Sequence, residues 1–299
     1  MAESGLSILI PVYNYDVRPL VTALRQQAAA AFWPVEILCW DDASAPEFQR
    51  LNAPLGALQQ VTYCRMPENL GRSRIRNRLA AAAKYEYLLF MDGDSAVAHK
   101  DYLERYRAQC TPGRLLYGGR AYQPALPDDP QLRLHWHYGR QREVQTASER
   151  QKQPYHSFMT NNFLIPKALF EPIQFDERLL QYGHEDTLFG LELREKGFPI
   201  LHLDNPLIHA GLEPGDVFLR KSVQAIENLA FLYREGSLRE TRLLRAYERL
   251  SCCKLTRPLT WGLHRLEPAL KQHLLNSSTP NLRAFDLYKL GVLLRCLKQ

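Results

Sequence analysis

EYLLFMDGD, residues 86–94, is the stretch on which the reading of the chain turns. The apolar run from Tyr87 to Met91 has the pattern of a strand buried on both faces, and it ends on two carboxylates that flank a glycine. Asp92 and Asp94 so placed can hold a hard divalent cation, while Gly93 lets a phosphate oxygen approach closely. Asp-Gly-Asp also occurs in ordinary turns. What sets this one apart is its place directly after a buried strand.

Upstream, Leu6 to Val12 is a first buried strand that ends at Pro11-Val12-Tyr13-Asn14. Asp16 is placed to cap a helix in which Val17, Leu20, Val21 and Leu24 recur at helical spacing. Val35 to Trp40 reads as a second strand, Val61 to Arg65 as a third, Arg72 to Lys84 as a helix, and Glu86 to Met91 as a fourth strand. This alternation predicts an α/β fold, a doubly wound and mostly parallel sheet with helices on both faces. In such sheets ligands collect beyond the carboxyl ends of the strands. Tyr13 and Asn14, then Asp41, Asp42 and Ser44, then Asp92 and Asp94 all fall at those ends.

Downstream of Gly118-Gly119 the regularity fails. Pro124, Pro127 and Pro130 punctuate a polar stretch, and Leu132 to Glu143 reads as a loop with a short helix, its Trp136 taken as local packing. Strand character returns at Phe158 to Ile165 and Phe175 to Gly183. A helix from Thr187 to Lys196, stopped by Gly197, and short strands at Pro199 to Leu203 and Pro206 to Ile208 follow. Beyond Gly215 the pattern is helical. The expected division is a sheet domain over 1–214, with halves at 1–119 and 120–214, and a helical extension over 215–299.

Of the 299 residues 45% are apolar, enough for a sizeable core. The net charge of +6 is uneven: residues 215–299 hold 15 Lys and Arg against 7 Asp and Glu. Such a tail is a solvated surface or a face for anionic lipid or an acidic partner. No motif points to nucleic acid. No run of about 18 apolar residues is available to span a membrane. Met1 to Gly5 lack the basic start and apolar middle of a secretory signal. Six scattered cysteines follow neither a metal spacing nor a disulfide framework. The expectation is a cytoplasmic protein, peripheral on the cytoplasmic face of the inner membrane if its basic helices touch lipid.

ILIPVYN (8–14), LCWDDAS (38–44), ENLGRSRIRN (68–77) and LLFMDGD (88–94), in that order, resemble the inverting family-two glycosyltransferases of the GT-A fold. FDERLLQYGHEDTLFGLELREKG (175–197) resembles the same family's second signature, where a Glu-Asp pair opens a helix in the acceptor half. The resemblance covers about residues 6 to 210. It implies a Rossmann-like nucleotide-binding half and an acceptor half.

The resemblance also implies roles. Asp94 would ligate a divalent metal, Mn2+ or Mg2+, and Asp92 would reach the donor ribose or a metal-bound water. His209, after a short strand, stands where related enzymes often place a further metal ligand, though a structural histidine fits the sequence as well. Asp41 and Asp42 match the double aspartate that meets the nucleotide base or ribose, and which of them does so stays open. Pro11 and Tyr13 fall with the nucleotide-binding loops. Asn69, Gly71, Arg76 and Asn77 match the N-x-G-x-x-x-x-R-N segment, a helix amino end suited to an anionic donor. Arg72, one turn earlier, adds to that positive field.

Asp186 is the expected general base, ionised at neutral pH on its ordinary pKa of about 3.9. Glu185 is an acceptor contact or helix cap, and Tyr182 and His184 line the acceptor pocket. The implied donor is a nucleotide-sugar, UDP-linked by preference. The implied acceptor is a glycan or lipid-linked hydroxyl in bacterial cell-surface polysaccharide or lipopolysaccharide synthesis.

Two rivals are weaker. A dehydrogenase would carry glycines after its first strand, where this chain reads PVYNYD, and a nucleotidyltransferase would want a glycine-rich basic loop there. A non-catalytic glycosyltransferase-like module that binds nucleotide or glycan would have no chemical reason to retain Asp92, Asp94 and Asp186 together.

Overall fold

The computed structural model describes residues 3–31, 33–178 and 183–298. Internal contacts divide the chain into two units. One comprises Met1–Gln123, Glu143–Leu180 and Glu185–Gly211; the other comprises Pro124–Arg142, Gln181–His184 and Leu212–Gln299. Residues 124–142 therefore group with the C-terminal helices.

The strands are β1 (Glu3–Val12), β2 (Val35–Asp41), β3 (Val61–Arg65), β4 (Tyr85–Met91), β5 (Ser95–Val97), β6 (Leu115–Tyr117), β7 (Arg120–Ala121), β8 (Asn162–Pro166), β9 (Ile200–His202) and β10 (Leu207–His209). The helices of the same unit are α1 (Arg18–Ala29), α2 (Pro46–Asn52), α3 (Arg72–Ala82) and α4 (Tyr102–Arg107). A seven-stranded sheet runs β3-β2-β1-β4-β8-β6-β9, and a three-stranded one runs β5-β10-β7. β1 pairs in parallel with β2 and β4, as β2 does with β3 and β6 with β9, while β8 runs antiparallel between β4 and β6. The large sheet is thus mostly parallel, as the strand-helix alternation predicts.

Both faces are covered. Leu6, Ile8 and Ile10 of β1 meet Val17, Leu20, Val21 and Leu24 around α1. Leu9, Leu88 and Phe90 face the other way, onto Ile75 and Leu79 of α3 and the rings of Phe158, Phe163, Phe170, Phe175 and Phe189. Period-two alternation on a two-sided apolar strand is what fills two cores at once.

Several local expectations are corrected. Asp16 is not the cap of α1: Val17 holds that position without a side-chain bond, and Asp16 turns to Arg18, accepting from its backbone N–H at 3.1 Å and its guanidinium at 2.8 Å. Strand structure near Phe158 starts only at Asn162, after a turn at Thr160 and Asn161. Residues 175–178 form no strand, and Tyr182 lies outside the described residues. Strands β5, β6 and β7 are two or three residues long, too short to show a period.

The second unit holds α5 (Arg133–Tyr138), which runs into a π-helical turn at Gly139–Glu143. The first unit then resumes with α6 (Ala147–Gln151), α7 (Lys167–Phe170) and α8 (Glu185–Glu195). The second unit ends in α9 (Gly215–Arg234), α10 (Arg242–Cys252), α11 (Thr256–Asn276) and α12 (Leu282–Leu297). The His135 ring stacks on Phe218 with centroids 4.6 Å apart, and Tyr138 meets Phe285 edge-on at 5.5 Å. Trp136 is half-buried, with the Arg140 guanidinium 5.7 Å from its ring centroid.

Candidate active site

β1 leads to β2 and β3 on one side, and the chain then returns to β4 on the other. The space between the carboxyl ends of β1 and β4 is the switch point at which such sheets take ligands. The β1–β4 ladder stops at Leu9↔Phe90, whereas β1–β2 pairing continues to Val12↔Asp41. Pro11 sits beyond that last β4 pairing, so its missing N–H removes nothing on that side. Its carbonyl packs under the Asp-Gly-Asp turn: a Cβ on Gly93 would lie 2.9 Å from Pro11 O.

The first ring of polar residues binds its own loops. Asn14, at φ 49°, donates its N–H to Ser44 Oγ at 2.8 Å and accepts from Ala45 N at 2.7 Å through Oδ1. Asp41 is fully buried; its two oxygens accept from Ser44 N and the Tyr63 hydroxyl, each at 2.7 Å. Asp41 thus points inward, with no exposed surface. Asp42 accepts from Leu70 N at 2.7 Å and Gly71 N at 3.1 Å, while Asn69 donates to its carbonyl at 3.1 Å. Burial pushes the Asp42 carboxyl up, and these two N–H bonds offset part of that. Gly71 caps α3 at φ 80°, a conformation that favours glycine. Tyr13 stands 58% exposed at the rim.

Asp92 is held between two arginines. Arg76 Nη2 donates to its Oδ1 at 2.6 Å, and Arg120 Nη2 lies 3.5 Å from its Oδ2. Arg120 also donates to Glu143 Oε2 at 3.1 Å, the same oxygen to which the Tyr122 hydroxyl donates. Burial works against the Arg120 charge, but Glu143, Tyr122, Asp92 and Asp94 outweigh it. The Nε atoms of Arg76 and Arg120 are buried without an acceptor among the described residues. Beneath them, fully buried Asn162 accepts from Tyr102 and Tyr106 and donates to the carbonyls of Gly119 and Asn205, fixing the turn that delivers Arg120.

Asp94 is arranged differently. Its Oδ1 is buried and receives no hydrogen bond among the described residues, and His209 Nδ1 lies 3.5 Å away. Antiparallel pairing of β10 with β5 sets His209 opposite Ser95, which brings the imidazole beside the preceding aspartate. Ala210 N bonds Asp94 O at 2.8 Å, and a Cβ on Gly211 would come within 2.5 Å of Asp94 Oδ2, so only glycine fits against it. Burial raises the Asp94 carboxyl, yet the nearby His209 ring with the charges of Arg120 and Arg72 holds it below the usual range. A carboxylate oxygen and an imidazole nitrogen on neighbouring octahedral positions of a small divalent ion, each about 2.1 Å from it, stand about 3 Å apart. The Asp94–His209 spacing and the vacant lone pairs of Oδ1 fit Mn2+ or Mg2+. Among the described residues no group of three His, Cys, Asp or Glu side chains converges on one point, so remaining ligands would come from water and the donor.

Asp186 and Glu185 open α8. Glu185 is buried and pairs with Arg72, Nη1 to Oε1 at 2.7 Å; burial raises its carboxyl, but Arg72 and Arg76 hold it low. Glu185, expected at the acceptor or as a cap, is thus an anchor for Arg72. Asp186 accepts from Thr187 N at 2.7 Å. Burial and the Glu185 charge push it up to about 6, so the expected ordinary aspartate pKa is corrected upward. Asn77 clasps the segment leading to this helix, trading hydrogen bonds with Phe175 O at 2.9 Å and Phe175 N at 2.8 Å.

The profile of glycosyl transferase family 2 matches residues 7–171, more than half of the chain. The chain belongs to glycosyl transferase family 2. No curated protein matches the sequence. A mannosyltransferase from Pyrobaculum calidifontis, solved with GDP-Man and Mn2+, aligns with a TM-score of 0.58 at 13% identity over 99% of this chain and 86% of that one. The 1–349 portion of TarS from S. aureus aligns with a TM-score of 0.52 at 17% identity over 96% of this chain and 90% of that one. At such identities the likeness is one of fold, and the fold is GT-A.

The motif residues of this family-two chain come together through a traceable set of contacts: Asp42 on the entry to α3, Arg72 and Arg76 on α3, Asp92 on Arg76, and Glu185 on Arg72, with Asp186 next to it in sequence. Arg120, Glu143 and Tyr122 escaped the sequence reading. The one signal was Gly118-Gly119 just before Arg120, where Gly119 takes φ 93° and a Cβ would strike Arg150 at 2.5 Å.

Proposed function

We propose that the protein is an inverting glycosyltransferase that moves a sugar from a nucleoside-diphosphate donor to a hydroxyl of a glycan or lipid-linked acceptor in cell-surface polysaccharide synthesis. The observation that carries the reading is Asp94: a buried carboxylate oxygen with no hydrogen bond among the described residues, beside His209, at the switch point of the sheet. A divalent ion there, Mn2+ or Mg2+, would neutralise charge that grows on the leaving diphosphate. Arg76 and Arg120 orient Asp92 toward the ribose side and supply positive potential for the phosphates. Asp42, 5% exposed where Asp41 is fully buried, accepts from the base through a lone pair that its bonds to Leu70 and Gly71 leave open, with Tyr13 against the face of the base. A carboxylate suits the N–H of uracil, hence the preference for UDP-sugar, although the GDP-Man-bound mannosyltransferase makes a guanine donor the alternative to include in the assay.

Asp186 takes the acceptor proton. The acceptor oxygen forms its bond to the anomeric carbon as the bond to the diphosphate breaks on the opposite face, the electron pair leaving with the phosphate oxygen. A carboxylate with pKa near 6 is a better base than an ordinary aspartate while remaining ionised at pH 7.5. The test is nucleoside-diphosphate release from UDP-, GDP- and dTDP-sugars, with the product anomer read by NMR. One donor turned over with inversion is expected. Nucleotide binding without turnover of any donor, with or without acceptor sugars, would move the protein to the non-catalytic class.

A further inference from the structure

The outward side of α11 and the turn before it combine charge and exposed apolar surface. Trp261 is 62% exposed, Leu266 53% and Leu255 46%. From Arg249 to Leu266 the sequence holds Arg249, Lys254, Arg257 and Arg265, and no Asp or Glu. Arg257, Trp261 and Arg265 recur every four residues and share one side of the helix, away from the buried Thr260, Leu263 and Leu274. The Arg265 guanidinium lies 4.2 Å from the Trp261 ring centroid, a cation–π contact on the surface.

We propose that this face docks on an anionic lipid bilayer. Tryptophan is amphipathic and favours the headgroup level, where an arginine beside it reaches phosphate while its stem stays on the apolar side. Leu255 and Leu266, on the other exposed flank of the helix, add apolar surface beside this face. A second copy of this chain is a poor occupant, because two such faces repel. A hydrated polyanion would satisfy the arginines and leave the indole and leucines in water. Among the described residues no helix is long and apolar enough to cross a membrane, so the contact is superficial. Docking is read without nucleotide or acceptor, so its failure and that of the transfer reading are separate results.

The experiment is flotation of the full chain with vesicles of phosphatidylglycerol and phosphatidylethanolamine, against phosphatidylcholine alone, with tryptophan fluorescence quenched by brominated lipid. Expected are binding to anionic vesicles only, loss of that binding in high salt, and a fall of at least about tenfold in partitioning for Arg257→Glu/Arg265→Glu. Circular dichroism of that variant should be unchanged. Brominated lipid should quench the wild type more than Trp261→Phe, which separates this indole from the other three tryptophans. Equal binding to neutral vesicles, charge-reversed protein that binds undiminished, or quenching that survives Trp261→Phe would overturn the proposal. So would soluble polyphosphate binding without vesicle binding, or a dimer abolished by Trp261→Ala.

Discussion

Asp41 and Asp94 stand near the carboxyl ends of two strands of one sheet, yet their surroundings differ. Asp41 has its oxygens on Ser44 N and the Tyr63 hydroxyl and no exposed surface. Asp94 has an oxygen that receives no hydrogen bond among the described residues, an imidazole 3.5 Å away and a glycine that leaves it room. Asp41 sits in a finished hydrogen-bond network; Asp94 sits in an unfinished one. A buried acceptor left open costs about 1–3 kcal/mol unless water or an ion satisfies it. The same distinction separates Glu185, neutralised by Arg72, from Asp186, which its neighbours push toward protonation.

The largest expected effect is on Asp186. Asp186→Asn should lower transfer by about 10²- to 10⁴-fold with nucleotide affinity unchanged. Wild-type rate at saturating donor should rise with pH through about 6 and then level off. Stability carries the opposite sign. The folded pKa lies above the unfolded value, so the folded state binds more protons between about pH 4 and pH 6, and stability falls as pH rises through that window. Asp186→Asn lacks this loss and should be as stable as wild type or more so at pH 7.5, by thermal melting. A variant that unfolds instead would make Asp186 a finished residue like Asp41.

Next is Arg120→Ala, which leaves half-buried Glu143 and Asp92 without its guanidinium and should cost about 1–3 kcal/mol, seen as a lower Tm. Unchanged Tm with lost nucleotide binding would assign Arg120 to the ligand rather than to the Asp92 cluster. Gly211→Ala places a methyl against Asp94 and should remove metal dependence of nucleotide binding for a stability change of about 1–3 kcal/mol. The smallest effect on ligand is expected for Asp41→Asn: about 1–2 kcal/mol of stability lost and nucleotide affinity within about threefold of wild type. A large affinity loss there would erase the contrast with Asp94.

Which of these residues the sequence could show follows from how far apart their partners lie in the chain. The apolar run ending in Asp92 and Asp94 and the helix opening at Gly71 are local patterns, and both appear where expected. The closeness of His209 to Asp94 depends on β5 and β10, three-residue strands with no period to read, whose pairing only the folded sheet creates. Arg120 and Glu143 look like surface charges in a polar, proline-rich region. Arg120 is positioned by the Asn162 network, which draws on Tyr102, Tyr106 and Gly119 from three separate segments, and Glu143 by its bond to Arg120. Asp186 was recognisable as a base candidate but its raised pKa was not, because that follows from burial and from Arg72 engaging Glu185 rather than its neighbour.

The most direct measurement is calorimetric titration with UDP and GDP, with and without Mn2+, of the wild type and Asp94→Asn, each confirmed folded by circular dichroism. The account expects one nucleotide to bind tightly only with Mn2+, and Asp94→Asn to lose that metal-dependent increment while keeping its Tm. Equal affinity with and without metal, or an Asp94→Asn variant that binds as the wild type does, would contradict the claim that the open carboxylate at the end of β4 is the metal site.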